Sequence, residues 1–260
     1  MVLLIPSPSV SALSIGPLTI HLYALCIITG IAVAIWIGRR RYSTLGGNPD
    51  DVSEVAIWAV PFGIIGGRIY HVISSPQQYF GENGNPADAL RIWQGGLGIW
   101  GAISLGAVGA YIYFKTHKTT LSFAKLLDSL APGVIIAQAI GRIGNYFNQE
   151  VFGKPTTLPW AIEIETKNRP EGYEAITTFH PTFLYESLGC LLICVGLIKA
   201  DKRWRFQDGR LFAMYVASYT FIRFFVESLR IDEAKNFVGL RLNQWTSIVV
   251  FACALVYLVF

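Results

Sequence analysis

The chain has 260 residues, of which 53% are hydrophobic and only 15% are charged, whereas soluble domains carry about 25% charged residues. This composition excludes a disordered chain and argues against a water-soluble fold. The formal net charge is +4, and the sequence has no basic stripe with interleaved aromatic residues, so no nucleic-acid partner is expected.

Seven apolar segments approach the length of about 20 residues that a membrane-spanning helix needs. In chain order they cover residues 18–38, 52–73, 95–114, 122–140, 181–199, 209–226 and 242–260. The fourth is the least certain to span, because it includes Lys125, Asp128 and Pro132, and mainly the topology of its neighbours supports it. We predict an all-α membrane protein with seven transmembrane helices in one polytopic domain over residues 1–260.

Lys and Arg residues gather in three of the connecting loops, as they do in cytoplasmic loops of membrane proteins. The loops follow the first, third and fifth predicted spans, at residues 39–41, 115–118 and 199–210. This pattern predicts an external N-terminus and a cytoplasmic C-terminus, with the long segment 141–180 on the outer face. Its polar part, residues 154–174, is either an outer arm near the substrate or a connecting loop.

Polar side chains within the predicted spans gather toward their outer ends. Arg68, Arg142 and Arg223 lie near the outer ends of three spans, although an unpaired arginine in a membrane costs about 2.5 to 3.5 kcal/mol. The outer starts of two other spans contain His21, Tyr23, His180, Tyr185 and Glu186. We therefore expect a shared polar cavity facing the outer leaflet.

The sixth predicted span places Tyr219, Arg223, Glu227 and Arg230 at successive steps of four, four and three residues. On a continuous helix these side chains share one face. Taken alone, this spacing also fits an Arg223–Glu227 pair that only fixes helix packing. The polar residues of the other spans favour a functional site.

The segment GRIGNYFNQEVFGKPT, residues 141–156, combines glycines with hydrogen-bonding side chains. Its polar members include Arg142, Asn145, Asn148 and Glu150, and its glycines are Gly141, Gly144 and Gly153. Such a segment can grip a polar headgroup. It also fits a capped helix end followed by a loop, and spacing alone does not decide between these interpretations.

Six blocks along the chain together resemble the prolipoprotein diacylglyceryl transferases. They are HLYAL (21–25), GGRIYHV (66–72), GGLGIWGA (95–102), GRIGNYFNQEVFG (141–153), HPTFLYES (180–187) and RFFVESLR (223–230). The resemblance implies an enzyme of the bacterial plasma membrane that transfers the sn-1,2-diacylglyceryl group from phosphatidylglycerol to a lipobox cysteine thiol of a prolipoprotein. Glycerol 1-phosphate is the second product. The implied partners are phosphatidylglycerol, the lipobox segment and the bilayer, with no cofactor or metal.

The resemblance also implies the site residues. By matching position they are Tyr23, Arg142, Asn145, Glu150, Gly153, Tyr219, Arg223, Glu227 and Arg230. Arg142 and Arg223 suit the lipid phosphate, because guanidinium groups bind phosphate oxygens in a bidentate fork. Asn145 and Tyr219 are expected to support them as donors, and Arg68 is a further candidate for lipid binding.

The general base is left open by the sequence. Trp100 stands where many members of the family have a histidine, and tryptophan cannot accept a proton. His180 and Glu150 are the remaining candidates, although Glu150 is equally suited to orienting Arg142. The competing function is an anionic-solute transporter or a lipid-binding membrane protein. A transporter typically has polar residues near the membrane midplane and repeated broken helices, which this sequence lacks.

Overall fold

The computed structural model describes residues 4–16, 18–82, 84–92, 95–232 and 236–260. Helices predominate in this part of the chain. They are α1 (Leu22–Thr44), α2 (Pro49–Ser74), α3 (Gln77–Phe80), α4 (Ile99–Thr116), α5 (Phe123–Asn148), α6 (Thr182–Trp204), α7 (Arg210–Leu229) and α8 (Leu242–Val259). Each of the seven predicted spans coincides with one of the seven long helices, and only α3 was not predicted.

Five of these helices, α1, α2, α5, α6 and α8, are long and apolar enough to cross a membrane by length and composition. Among them is α5, the doubtful fourth prediction. The helices α4 and α7 also form where spans were predicted, but they are not among these five. In α7, the charged side chains of Arg210, Arg223 and Glu227 lower the hydropathy. The described residues thus support a multi-pass helical protein.

Within the described residues, three short antiparallel strand pairs accompany the predicted helices. They pair β1 (Ala12–Ile15) with β2 (Leu18–His21), β3 (Ile162–Glu163) with β4 (Thr178–Phe179), and β5 (Asn236–Phe237) with β6 (Leu240–Arg241). In the last hairpin, Val238 and Gly239 both have positive φ, as a tight two-residue turn requires. Strands of two to four residues are too short to leave a periodic pattern in the sequence.

The segment between α5 and α6 is folded. Its apolar core consists of Phe152, Ile162, Ile164, Phe179 and Phe183. The N-terminal segment adds to it, because Ile5 pairs in parallel with Ile162 and donates its N–H to the carbonyl of Ala161 at 2.9 Å. The predicted arm therefore has a packed core of its own, and its place on the outer face remains a prediction.

The chain divides into two compact units, residues 1–38 with 127–260, and residues 39–126. In the first unit, α5, α6 and α7 share a core of Ala131, Ile135, Ala139, Cys190, Cys194, Leu197, Leu211 and Tyr215. In the second unit, Gly66 of α2 lies directly against Gly101 of α4, and a Cβ on either glycine would overlap the other's carbonyl oxygen. Small residues allow this close helix packing.

Asp128, the carboxylate inside α5, caps the start of α7. It is 4% exposed and accepts hydrogen bonds from the backbone N–H groups of Gly209 and Phe212, both at 2.9 Å. Its polar side chain is therefore satisfied within the protein, which explains a buried carboxylate inside this helix.

We expect Asp128→Ala to lower the free energy of unfolding by about 0.5 to 2 kcal/mol, the usual cost of losing a helix cap. Asp128→Asn retains one acceptor oxygen and should lose less. Denaturant unfolding of the purified protein in detergent measures both variants. Equal stability of wild type and Asp128→Ala would contradict the capping role.

Candidate active site

The centre of the site is Glu186 of α6, which binds arginines from two other helices. Its Oε1 atom lies 2.8 Å from Nη2 of Arg142 on α5, and its Oε2 atom lies 3.0 Å from Nη1 of Arg223 on α7. The hydroxyl of Tyr219 donates to Oε1 at 2.8 Å. Glu186 is 0% exposed, so these contacts replace the water that a buried carboxylate would otherwise need.

The network continues through Glu227, one turn beyond Arg223 on α7. Glu227 pairs with Arg223 and lies 3.1 Å from Nε of Arg241 and 3.9 Å from Nε of Arg230. Asn243 donates to its Oε1 atom at 3.0 Å. This buried carboxylate therefore fixes the end of α7 to the start of α8.

Asp232 completes the network just after α7. Nε of Arg230 donates to its Oδ1 atom at 2.6 Å, and Nη2 of Arg241 donates to its Oδ2 atom at 3.0 Å. Burial opposes ionisation of Asp232, but the hydrogen bond from Arg230 and the charges of both arginines outweigh it and lower its pKa below the usual range. Asp232 is therefore charged at neutral pH.

Among the residues that the structure describes, the network contains four arginines and three carboxylates, so these side chains carry one positive charge in excess. Arg142 is the most accessible of the arginines, with 25% of its side chain exposed against 12 to 14% for the others. Among the described residues, Arg142 makes these contacts through Nη2 alone, and its Nε and Nη1 atoms have no hydrogen bond. This free edge has the donor geometry that a phosphate needs.

A second polar group lies at the end of α5. The Oε1 atom of Glu150 accepts from Asn145 at 2.8 Å and from Asn148 at 3.2 Å. Tyr23 interacts electrostatically with Glu150 and with Arg142. Glu150 thus orients the two asparagines. Its other predicted role was to orient Arg142, but among the described residues Glu150 makes no direct contact with that arginine.

The backbone beyond α5 bends sharply to bring this group together. Gln149 and Val151 both have positive φ, at 51° and 57°, a conformation that is rare for a β-branched residue such as Val151. Thr182 holds the bend by donating to the carbonyl of Val151 at 2.7 Å. Such strain persists only where surrounding contacts enforce it, and it is typical of functional sites.

Gly153 joins three parts of the site. Its N–H donates to the carbonyl of His180 at 2.8 Å, and it pairs with Arg230 as an antiparallel bridge. A Cβ at this position would lie 2.7 Å from a side-chain atom of Thr182 and 2.8 Å from the carbonyl oxygen of Leu229. Two backbones meet at Gly153, which explains why this predicted site residue is a glycine.

His180 lies in a separate chain of hydrogen bonds. Its Nδ1 atom is 3.1 Å from the Tyr185 hydroxyl, which accepts from Nε1 of Trp160 at 2.8 Å. Partial burial and the charge of Lys154 lower the pKa of His180 below its ordinary value, which is about 6.5. The imidazole is therefore neutral at pH 7, as a proton acceptor must be.

Arg68 belongs to the other unit, where it organises a loop. Its guanidinium donates to backbone carbonyls of Ala89 and Gly95 at 2.8 and 2.7 Å, and also to that of Asp88. It lines a cavity of about 220 Å³ together with His71, Gln78, Tyr79, Asp88, Gly95 and Gly96. The backbone thus occupies the donors of Arg68, and lipid binding by this residue remains a prediction.

The structure brings together most of the predicted site residues of the first unit. Arg142, Tyr219, Arg223, Glu227 and Arg230 lie in the ion network, and Tyr23, Asn145, Glu150 and Gly153 lie around the end of α5. Sequence reasoning assigned no role to three charged members of the network, namely Glu186, Asp232 and Arg241. For Glu186 an indication was present, since two buried arginines require a carboxylate.

Comparison with known proteins points to the same family as the six sequence blocks. A family model described as prolipoprotein diacylglyceryl transferase matches residues 10–260. The phosphatidylglycerol–prolipoprotein diacylglyceryl transferase 2 of Streptomyces coelicolor is 54% identical over 256 residues, which are 98% of this chain and 80% of that protein. A protein named phosphatidylglycerol–prolipoprotein diacylglyceryl transferase from Cutibacterium acnes is 54% identical over 255 residues, which are 98% of this chain and 86% of its own.

Proposed function

Because the chain belongs to the prolipoprotein diacylglyceryl transferase family, we propose that it transfers the sn-1,2-diacylglyceryl group of phosphatidylglycerol to the lipobox cysteine of prolipoproteins. This is the first step of bacterial lipoprotein maturation. The observation that carries the proposal is the pair of arginines held on the buried carboxylate of Glu186, with the free edge of Arg142 accessible. The free guanidinium edge of Arg142, with the positive charge of Arg223 on the same carboxylate, suits a phosphate diester.

The reaction forms one bond and breaks another. The cysteine sulfur attacks the glyceryl carbon that carries the phosphate, a C–S bond forms, and the C–O bond to phosphate breaks. The thiol proton goes to a base, and the leaving group departs as glycerol 1-phosphate. Negative charge grows on the phosphate as the C–O bond breaks, so Arg142 and Arg223 stabilise the transition state more than the bound lipid.

The base remains a choice between His180 and Glu150. A cysteine thiol has an ordinary pKa of about 8.5, so few molecules are thiolate at neutral pH and a base accelerates attack. His180 is neutral at pH 7. Glu150 is committed to Asn145 and Asn148. These contacts favour His180.

If His180 is the base, the rate should fall on acidification only below about pH 6.5, where imidazole becomes protonated. Lys154→Gln removes a positive charge near the ring and should therefore raise the pKa of His180 and move the fall to higher pH. A pH profile of kcat/KM measures both effects. Full activity of His180→Gln across the same pH range would exclude the histidine base.

The membrane placement is part of the proposal. Seven spans, an external N-terminus, a cytoplasmic C-terminus and a site toward the outer leaflet of the bacterial plasma membrane are supported by the basic loops and by the five apolar helices. In α7, the pairing of Arg223 with Glu227 lowers the cost of placing both in a membrane. Secreted precursors emerge on the outer side, where the site would meet them.

Release of glycerol 1-phosphate tests the proposed reaction. Purified protein is incubated with phosphatidylglycerol labelled in its terminal glycerol and a lipobox peptide, and the water-soluble label is counted. Release that requires the cysteine and stops with a Cys→Ser peptide is the expected result. Lipid that binds without releasing label would instead support a lipid-binding protein or a transporter.

A further inference from the structure

Glu186 contacts Arg142 and Arg223 through different oxygens, and it is the carboxylate of the described network that pairs with Arg142. It lies on α6, whereas Arg142 and Arg223 lie on α5 and α7. Each oxygen accepts from one guanidinium, at 2.8 and 3.0 Å. One side chain therefore sets the spacing and orientation of two cationic groups from two helices.

The arginines need this restraint because their like charges repel at short range in a buried site. Arg223 has a second carboxylate partner in Glu227. Among the described residues, Arg142 has no second carboxylate partner, and its hydrogen bond beyond Glu186 is to the Tyr219 hydroxyl, at 3.5 Å. Without Glu186, Arg142 would keep its charge but lose its fixed direction.

The hydroxyl of Tyr219 in turn fixes Glu186. It donates to Oε1 at 2.8 Å, the same oxygen that Arg142 contacts. Ser187, the neighbour of Glu186, also anchors this part of α6 by donating to the carbonyl of Ala139 on α5 at 2.9 Å. The carboxylate is therefore held by its own contacts and by a rigid backbone.

From this geometry we infer that Glu186 is a positioning residue for the transfer reaction, one that aligns Arg142 and Arg223 on the phosphate of the departing group. This inference rests on the proposed function. Glu186 is 0% exposed and its carboxylate is bound by Arg142, Arg223 and Tyr219, so it acts on turnover through the arginines. Their charge attracts the lipid with or without Glu186, whereas their alignment matters when charge develops on the phosphate.

The test compares kcat and KM for phosphatidylglycerol in wild type, Glu186→Gln and Glu186→Asp, with rates expressed per folded molecule. We expect Glu186→Gln to lower kcat about 100-fold, as small misplacements at an active site do, without raising KM. Glu186→Asp keeps the charge and should recover part of kcat. The matched control is Asp128→Asn. Asp128 is a buried carboxylate near the start of α5, whereas Arg142 lies near the end of that helix. This substitution should lower stability and leave kcat unchanged.

The inference is overturned if Glu186→Gln has the same kcat per folded molecule as wild type. This includes the case in which total activity falls only because less of the variant is folded. If Glu186→Gln does not fold, Tyr219→Phe relaxes the carboxylate without changing any charge. It should lower kcat, and an unchanged kcat overturns the inference as well. A wild-type protein without transfer activity counts against the proposed function, whereas active wild type with unaffected variants counts only against the role of Glu186.

Discussion

Replacing Arg142 by alanine should lower kcat for diacylglyceryl transfer by about 10²- to 10³-fold, the usual cost of losing one group that stabilises developing negative charge. The reason is its free edge, since Nε and Nη1 have no hydrogen bond among the described residues and the side chain is 25% exposed. Steady-state rates with phosphatidylglycerol and a lipobox peptide measure the effect.

Arg142→Lys is the informative control for this variant. Lysine keeps the positive charge but lacks the planar fork, so it should recover lipid binding better than turnover. Thermal unfolding checks that both variants remain folded. Wild-type turnover in folded Arg142→Ala would remove this arginine from the chemistry.

Replacing Glu227 by alanine should produce the largest loss of stability, about 3 to 5 kcal/mol, as breaking a buried ion pair usually does. Glu227 is 0% exposed and contacts Arg223, Arg230 and Arg241. Its loss leaves three buried guanidinium groups with too few carboxylates. The free energy of unfolding in detergent measures the change.

Glu165→Ala provides the matched control for Glu227. Glu165 lies 2.8 Å from Lys167, but both side chains are well exposed, and exposed ion pairs contribute little. Its removal should leave stability nearly unchanged. If the two variants lose the same amount, burial of Glu227 has no special consequence and the network is not a structural core.

Helical periodicity explains how much of this site the sequence could predict. Tyr219, Arg223 and Glu227 follow one another at helical spacing on α7, so local geometry fixes their common face. Arg230, predicted on the same face, lies just beyond the helix with extended backbone. The pairing of Arg142 and Arg223 with Glu186 depends on how three helices pack, and local spacing contains no information about this.

Other features of the fold and the site could be predicted from the sequence less well or not at all. The hairpins consist of strands of two to four residues, too short for an alternating pattern. Arg241 lies in β6 of the last hairpin and in none of the six blocks. Its contacts with Glu227 and Asp232 arise from the turn of the chain between α7 and α8. Arg68 was placed by depth alone, which did not indicate that backbone carbonyls bind its guanidinium.

Mass spectrometry of a lipobox peptide, after incubation with phosphatidylglycerol and purified protein, tests the central claim most directly. The account predicts a peptide heavier by one diacylglyceryl group on its cysteine, formed by wild type and not detectably by Arg142→Ala. An unmodified peptide with folded wild type that has bound the lipid would contradict the transferase. An equal yield of adduct from both proteins would contradict the arginine site.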